Sequence, residues 1–202
     1  NLRALSPVLP AQFKDVFDQE KYARSQEYTR TTTRFGLIRN SASTVLTVLF
    51  IILGGFNWAD TTVRSLGLGS IASGLLFTGL IVLMAAVAGL PFSIYATFVI
   101  EERFGFNKTT VRTFVLDMIK SLVLAVIIGA PLLAFVLWLF ETGGPFAWLY
   151  CWLAVIGFVI TVQFLAPVCI MPLFNKFTPL AEGELKERIM EYAAGQHFKM
   201  KG

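Results

Sequence analysis

IASGLLFTGLIVLMAAVAGL, residues 71–90, carries no charged side chain. As an α-helix its twenty residues reach about 30 Å, the thickness of the hydrocarbon core of a bilayer. The stretch is not alone. Ser41–Trp58, Ser121–Phe140 and Phe146–Ala166 read the same way, so Ile71–Leu90 is the second of four spans. Of the 202 residues, 55% are hydrophobic and 15% charged, against about 25% charged in a soluble domain. The apolar residues come in blocks. The sequence therefore predicts an all-α fold, a polytopic transmembrane helical bundle.

Punctuation and charge supply the topology. Trp58, Trp138 and Trp148 stand near span ends, where interfacial aromatics collect. Pro91 is expected to close the second span, and Gly143-Gly144-Pro145 to turn the chain between the third and fourth. Lys21, Arg24, Arg30, Arg34 and Arg39 precede the first span, whereas the next loop offers only Arg64. Arg103, Lys108 and Arg112 follow the second span, with Lys120 just after. The turn at 141–145 has no Lys or Arg, and Lys176, Lys186, Arg188, Lys199 and Lys201 follow the fourth span. This alternation is the one that the positive-inside rule requires. It predicts a cytoplasmic N-terminal segment (1–40), a four-span membrane domain (41–174) with a cytoplasmic loop at 91–113, and a cytoplasmic helical tail (175–202). Asp18-Gln19-Glu20 should cap a polar helix leading into the first span. Leu185, Ile189 and Tyr192 recur at helical spacing, and Gly195 is placed to end that helix. The chain begins with Asn and has no signal-peptide pattern, so it is expected to start inside a longer protein.

Polar groups in the apolar blocks are the first candidates for function. Asp117 and Lys120, three apart, read as a local ion pair at the interface, with the wall of a water-filled cavity as the alternative. Gln163 reads as an interhelical hydrogen bond or, again, a cavity-lining group. Pro167 and Pro172 should break the fourth span near its exit. Gly69, Ser70, Ser73, Gly74, Ala85 and Gly89 suit close helix packing.

Several chemistries are excluded. Zinc needs three or four ligands. His197 is the only histidine and nothing beside it completes a set, so no H-E-x-x-H exists here. A serine intramembrane protease would need a histidine partner for the weak serine signature at 71–74. A glutamate-type membrane protease would need an arginine where Phe106 follows Glu101-Glu102. Cys151 and Cys169 share one apolar block, which argues against a disulfide framework. The net charge of +4 comes without a basic stripe interleaved with aromatics, so no nucleic-acid partner is expected.

KYARSQEYTRTTTRFG (21–36), LPFSIYATFVIEERFGFNKTTVRTFVLDMIKS (90–121) and LAPVCIMPLFNKFTPLAEGELKERIMEYA (165–193) resemble, in order and spacing, the membrane region of the Ste24-type CAAX prenyl proteases. These are integral-membrane zinc metallopeptidases of the M48 family. The resemblance implies a fold in which seven spans surround a chamber and a zinc site, H-E-x-x-H plus a downstream Glu, faces the cytosol. This chain resembles the second to fifth of those spans. No catalytic residue and no zinc ligand carries over. What does carry over is Phe104, Gly105, Phe106 and Asn107, in the loop that approaches the protease domain. Pro172, Phe174 and Asn175 carry over as the way out of the fourth span.

The resemblance makes Glu102, Arg103, Phe104, Gly105, Phe106 and Asn107 a docking loop for that domain, and Asp117 and Gln163 chamber-lining groups. The phenylalanines suit aromatic anchors. Gly105 suits a left-handed turn. Asn107 suits a cap on the following helix, and Glu101, Glu102 and Arg103 suit ion pairs across the contact. An interfacial loop with its phenylalanines among lipid headgroups is the alternative. The implied partners are a downstream protease domain of the same protein, a peptide or lipidated-peptide substrate, and the bilayer. The implied cofactor is zinc in the full-length protein, where a zinc-bound water and a glutamate base would hydrolyse a peptide bond near a C-terminus. The membrane would be a bacterial inner membrane or that of the endoplasmic reticulum. The rival reading is a non-enzymatic scaffold or transporter-like helical module.

Overall fold

The computed structural model describes residues 2, 5–9, 18–175, 178 and 180–196. Among them every regular element is helical. The chain divides into two units, Asn1–Trp148 and Leu149–Gly202. Four helices are long and apolar enough to cross a membrane: α1 (Gln19–Ile52), α3 (Ser70–Phe104), α4 (Val111–Thr142) and α5 (Gly144–Phe174). Two shorter helices are α2 (Gly55–Arg64) and α6 (Glu184–Gly195). The four-span, all-α expectation holds.

Asp18 starts α1 as expected. Its Oδ1 accepts from the N–H groups of Glu20 at 2.8 Å and Lys21 at 3.0 Å, which would otherwise be orphan donors of the first turn. Those bonds hold its carboxyl below the ordinary pKa, the Lys21 N–H contributing most and the Glu20 N–H next. The helix then runs unbroken for 34 residues, with no boundary between its polar and apolar halves. It does not reach Trp58. Gly54 adopts φ +74°, a left-handed conformation that glycine takes without penalty, and Trp58 lies on α2. That short helix turns Ala59 and Val63 inward, one turn apart, and packs against α3. Asp60 and Arg64 pair on its outer side at 2.8 Å.

The prolines do not end helices here. Pro91 lies inside α3, which continues to Phe104, so the expected loop at 91–113 shrinks to residues 105–110. Pro167 and Pro172 lie inside α5. In water a helix that loses an N–H can fray, because solvent accepts the freed carbonyls. In lipid the remaining helix is the only source of partners, and a local change of pitch absorbs the defect. A π turn accordingly sits beside each of three prolines. Ala96–Glu101 follows Pro91, Ala125–Gly129 precedes Pro131, and Ala166–Ile170 surrounds Pro167.

In the first unit α3 packs against α1, α2 and α4. Gly74 lets α4 approach, since a Cβ there would stand 2.7 Å from Leu137 Cδ1. Ser70 Oγ donates to Glu141 Oε1, tying the start of α3 to the end of α4. Phe35 stacks on Tyr95 at 5.2 Å near one end of the α1–α3 contact, and Phe50 meets Phe56 edge-on at 5.0 Å near the other. Large apolar side chains such as Ile52, Val87 and Ile127 stay exposed, as they do on every span. An outward apolar surface of this extent belongs in lipid or against further helices. In the second unit α6 starts after Gly183, ends at Gly195 as expected, and carries the pairs Lys186–Glu182 and Arg188–Glu184.

Candidate functional site

The end of α3 is closed by a glycine. Gly105 sits at φ +74° and donates to Glu102 O at 3.0 Å, while Phe106 N–H reaches back to Glu101 O at 2.9 Å. These are the two bonds of a Schellman ending, which satisfies the last carbonyls of a helix. Asn107 then braces the turn from both sides. Its Oδ1 accepts from Thr109 N–H at 2.7 Å and its Nδ2 donates to Glu102 Oε2 at 3.0 Å. It does not cap α4. Thr110 does, accepting from Thr113 N–H at 3.2 Å. The correction has a simple cause: Asn107 is spent on the Asx turn before it, and α4 starts too far downstream for its side chain to reach.

The turn is moored on α1. Arg24, Glu27 and Tyr28 occupy one face of that helix, at i, i+3 and i+4. Arg24 Nη2 donates to the carbonyl of Phe104 at 3.1 Å, a favourable place for a cation because helix C-termini carry partial negative charge. Glu27 takes Arg103 Nη2 at 2.7 Å. The Tyr28 ring meets Phe104 edge-on at 5.2 Å and Phe106 at 4.8 Å. The guanidinium of Arg103 also lies over Phe104, 5.5 Å from its centroid. Phe104 is 5% exposed and Phe106 60%. The ion pair, open to solvent on both sides, contributes at most about 1 kcal/mol; the aromatic cluster does more. A cavity of about 590 Å³ opens beside this mooring, with Glu20, Arg24, Glu27, Arg30 and Arg103 in its walls. Arg30 closes part of it by donating to Leu5 O at 2.8 Å.

The six loop residues expected to act together, Glu102 to Asn107, are thus one structural unit. Sequence reasoning missed its other half, Arg24, Glu27 and Tyr28. The remaining candidates lie elsewhere. Asp117 pairs with Lys120 at 3.2 Å along α4, as the simpler of the two expectations had it. Gln163 lies on α5 with its side chain exposed, in the second unit. Among the described residues no three His, Cys, Asp or Glu side chains come together as a metal site. His197 lies outside the described residues.

A family model described as CAAX prenyl protease N-terminal, five membrane helices, matches residues 1–176. CAAX prenyl protease 1 of Saccharomyces cerevisiae is 38% identical over 92% of this chain and 43% of its own length. The CAAX prenyl protease 1 homolog of Arabidopsis thaliana is 34% identical over 96% of this chain and 48% of its own. The crystal structure of S. mikatae Ste24p superimposes with a TM-score of 0.85 at 36% identity, covering 96% of this chain and 47% of that one. The chain spans a little under half the length of these relatives. The resemblance carried by the three sequence stretches, the helical membrane architecture and these matches agree: the chain belongs to the Ste24-type CAAX prenyl protease family, as its N-terminal membrane region.

Proposed function

We propose that this chain is the membrane-embedded part of a zinc metalloendopeptidase that cleaves near the C-terminus of prenylated or similarly presented peptides. The observation that supports this best is the likeness to Ste24p over 96% of the chain at 36% identity. In this reading the spans wall a chamber, with Asp117 and Gln163 toward it, and residues 1–40, 91–113 and 175–202 face the cytoplasm. The moored turn meets the downstream protease domain with its outer side. Phe104 is already buried against Tyr28, so Phe106 is the side chain left to anchor that contact.

Zinc enters this reading through the family. The residues described here do not form its site, since no group of three ligand-type side chains occurs among them. No step of hydrolysis is therefore derived through the metal. The chain's own work is to hold the substrate's apolar portion in the membrane plane and to fix the height of the turn.

The test compares the full-length protein with the 202-residue chain, assaying bound zinc and hydrolysis of a farnesylated peptide. The full-length protein is expected to carry stoichiometric zinc and to cleave; the chain alone should do neither. Stoichiometric zinc in the 202-residue chain, lost on His197→Ala, would sink the proposal.

A further inference from the structure

A second cavity, of about 500 Å³, lies between α1 and α3 and is open to the side. It is graded in polarity. At one end stand Arg39, Asn40, Ser43 and Ser93; at the other, Leu46, Phe50, Phe56, Ile81 and Met84. Ala85, Ala88 and Gly89 keep the α3 wall low between them. From Arg39 to Phe50 the groove follows about 16 Å of helix. The Phe35–Tyr95 stack lies beyond its polar end, and the Phe56–Phe77 contact (6.5 Å) beyond its apolar end.

Arg39 is the unusual member. The apolar half of α1 begins at Phe35, so Arg39 stands about 6 Å inside it, one helical turn. Leu37 and Ile38 beside it are exposed as lipid-facing residues are. No carboxylate lines the groove, and none of the ion pairs among the described residues involves Arg39. A cation placed within an apolar span requires an anionic or water-borne partner. The nearby polar groups do not supply the charge. Asn40 and Ser43 are neutral, and the Ser93 hydroxyl is directed to its own helix at Gly89 O (3.4 Å).

We propose that this groove is a binding site for an anionic phospholipid. The phosphodiester sits on Arg39, whose planar guanidinium matches two phosphate oxygens at once. Asn40 and Ser43 offer further donors. One acyl chain runs along Leu46, Ala85 and Met84 toward Phe50. This places headgroup and tail in the order they already have in a leaflet, with the headgroup toward the N-terminal end of α1. A zwitterionic lipid would bring a second cation to the same end and fits less well. Basic pockets between membrane helices favour anionic headgroups for this reason. The proposal stands independently of the protease reading.

The test is native mass spectrometry of the protein released from micelles containing equal phosphatidylglycerol and phosphatidylcholine. Wild type is expected to retain phosphatidylglycerol preferentially. Arg39→Gln should lower that retention roughly five- to tenfold, the size of one lost charge-assisted contact, and Arg39→Lys should keep most of it. Ala88→Leu fills the groove while leaving Arg39 in place, and should lower retention too. Arg112→Gln, away from the groove, should not. Circular dichroism of each variant checks that the helices form. Two results overturn the proposal. One is equal retention of phosphatidylglycerol by wild type and folded Arg39→Gln. The other is displacement of the lipid from wild type by a farnesylated peptide with a free carboxylate, which would make the groove a substrate site.

Discussion

Phe104 and Phe106 touch the same tyrosine ring, yet one is enclosed and the other stands open. Their substitutions should separate accordingly. Phe104→Ala removes a buried ring and should cost about 3–5 kcal/mol. Phe106→Ala loses little more than an edge-on contact, about 0.5–1.5 kcal/mol. Thermal unfolding in detergent measures both, and equal losses would show that the turn does not pack as described. Gly105 tolerates no such trade, because any side chain there is strained at φ +74°. At the start of α1, Asp18 makes a second prediction. Its folded pKa lies below the ordinary value, so its contribution is present above the ordinary carboxylate range and is lost as pH falls through the folded value. Amide-exchange protection at Lys21, corrected for intrinsic rate, should therefore drop on acidification in wild type and be low at every pH in Asp18→Ala. Protection that ignores pH in wild type would contradict the cap. Residue types announced these roles well. Asp before a helix, Gly after one and Asn in a turn each have one dominant physical use. Their partners were not legible: Glu27 is 76 residues from Arg103, and Arg24 is 80 from Phe104. No local pattern encodes a meeting over that distance.

At the scale of elements, the count of spans followed from apolar length alone, while their ends did not. Trp58 and Pro91 were read as boundary marks, as they are in many chains. The chain instead stops α1 at Gly54 and carries α3 past Pro91 for a further thirteen residues, to Phe104. The reason is the solvent: the signals that end helices in water act through carbonyls that water can satisfy, and lipid cannot. The same misreading made a loop of residues 91–104, which extend α3 beyond the hydrocarbon core. A 35-residue helix is about 52 Å long against a core of about 30 Å. Topology is tested by single cysteines in a background where Cys151 and Cys169 are replaced. Lys108→Cys and Lys186→Cys should be protected from an impermeant thiol reagent added outside, and Gly144→Cys should react. Labelling of Gly144→Cys and Lys108→Cys from the same side would defeat the alternation of charge on which the orientation rests.

For the whole molecule, the chain is a membrane region whose apolar side chains largely face outward. It buries few residues of its own. A chain of this kind is read most directly by its length, its blocks and its family, and least by pairwise packing. The family likeness rested on ERFGFN and its flanking stretches, and the matches with CAAX prenyl proteases bear it out. The intramembrane groove was not visible in the sequence, because it takes one wall from α1 and another from α3. Arg39 had been counted only as one more positive charge before a span.

The unbroken course of α1 has a consequence in angle and height. Residues 24, 27 and 28 hold the turn, and residues 39 to 50 line the groove, on a single rod with no joint between them. One added residue between Tyr28 and Phe35 would swing the upper face through about 100° and raise it about 1.5 Å. Four added residues would return it to within about 40°, some 6 Å higher. A disulfide between Glu27→Cys and Arg103→Cys reports the setting. It should form at the native spacing, fail with one alanine inserted after Thr32, and recover in part with four. Formation at all three spacings would mean that the rod bends. Otherwise α1 is a dial whose phase is set in the membrane and read outside it.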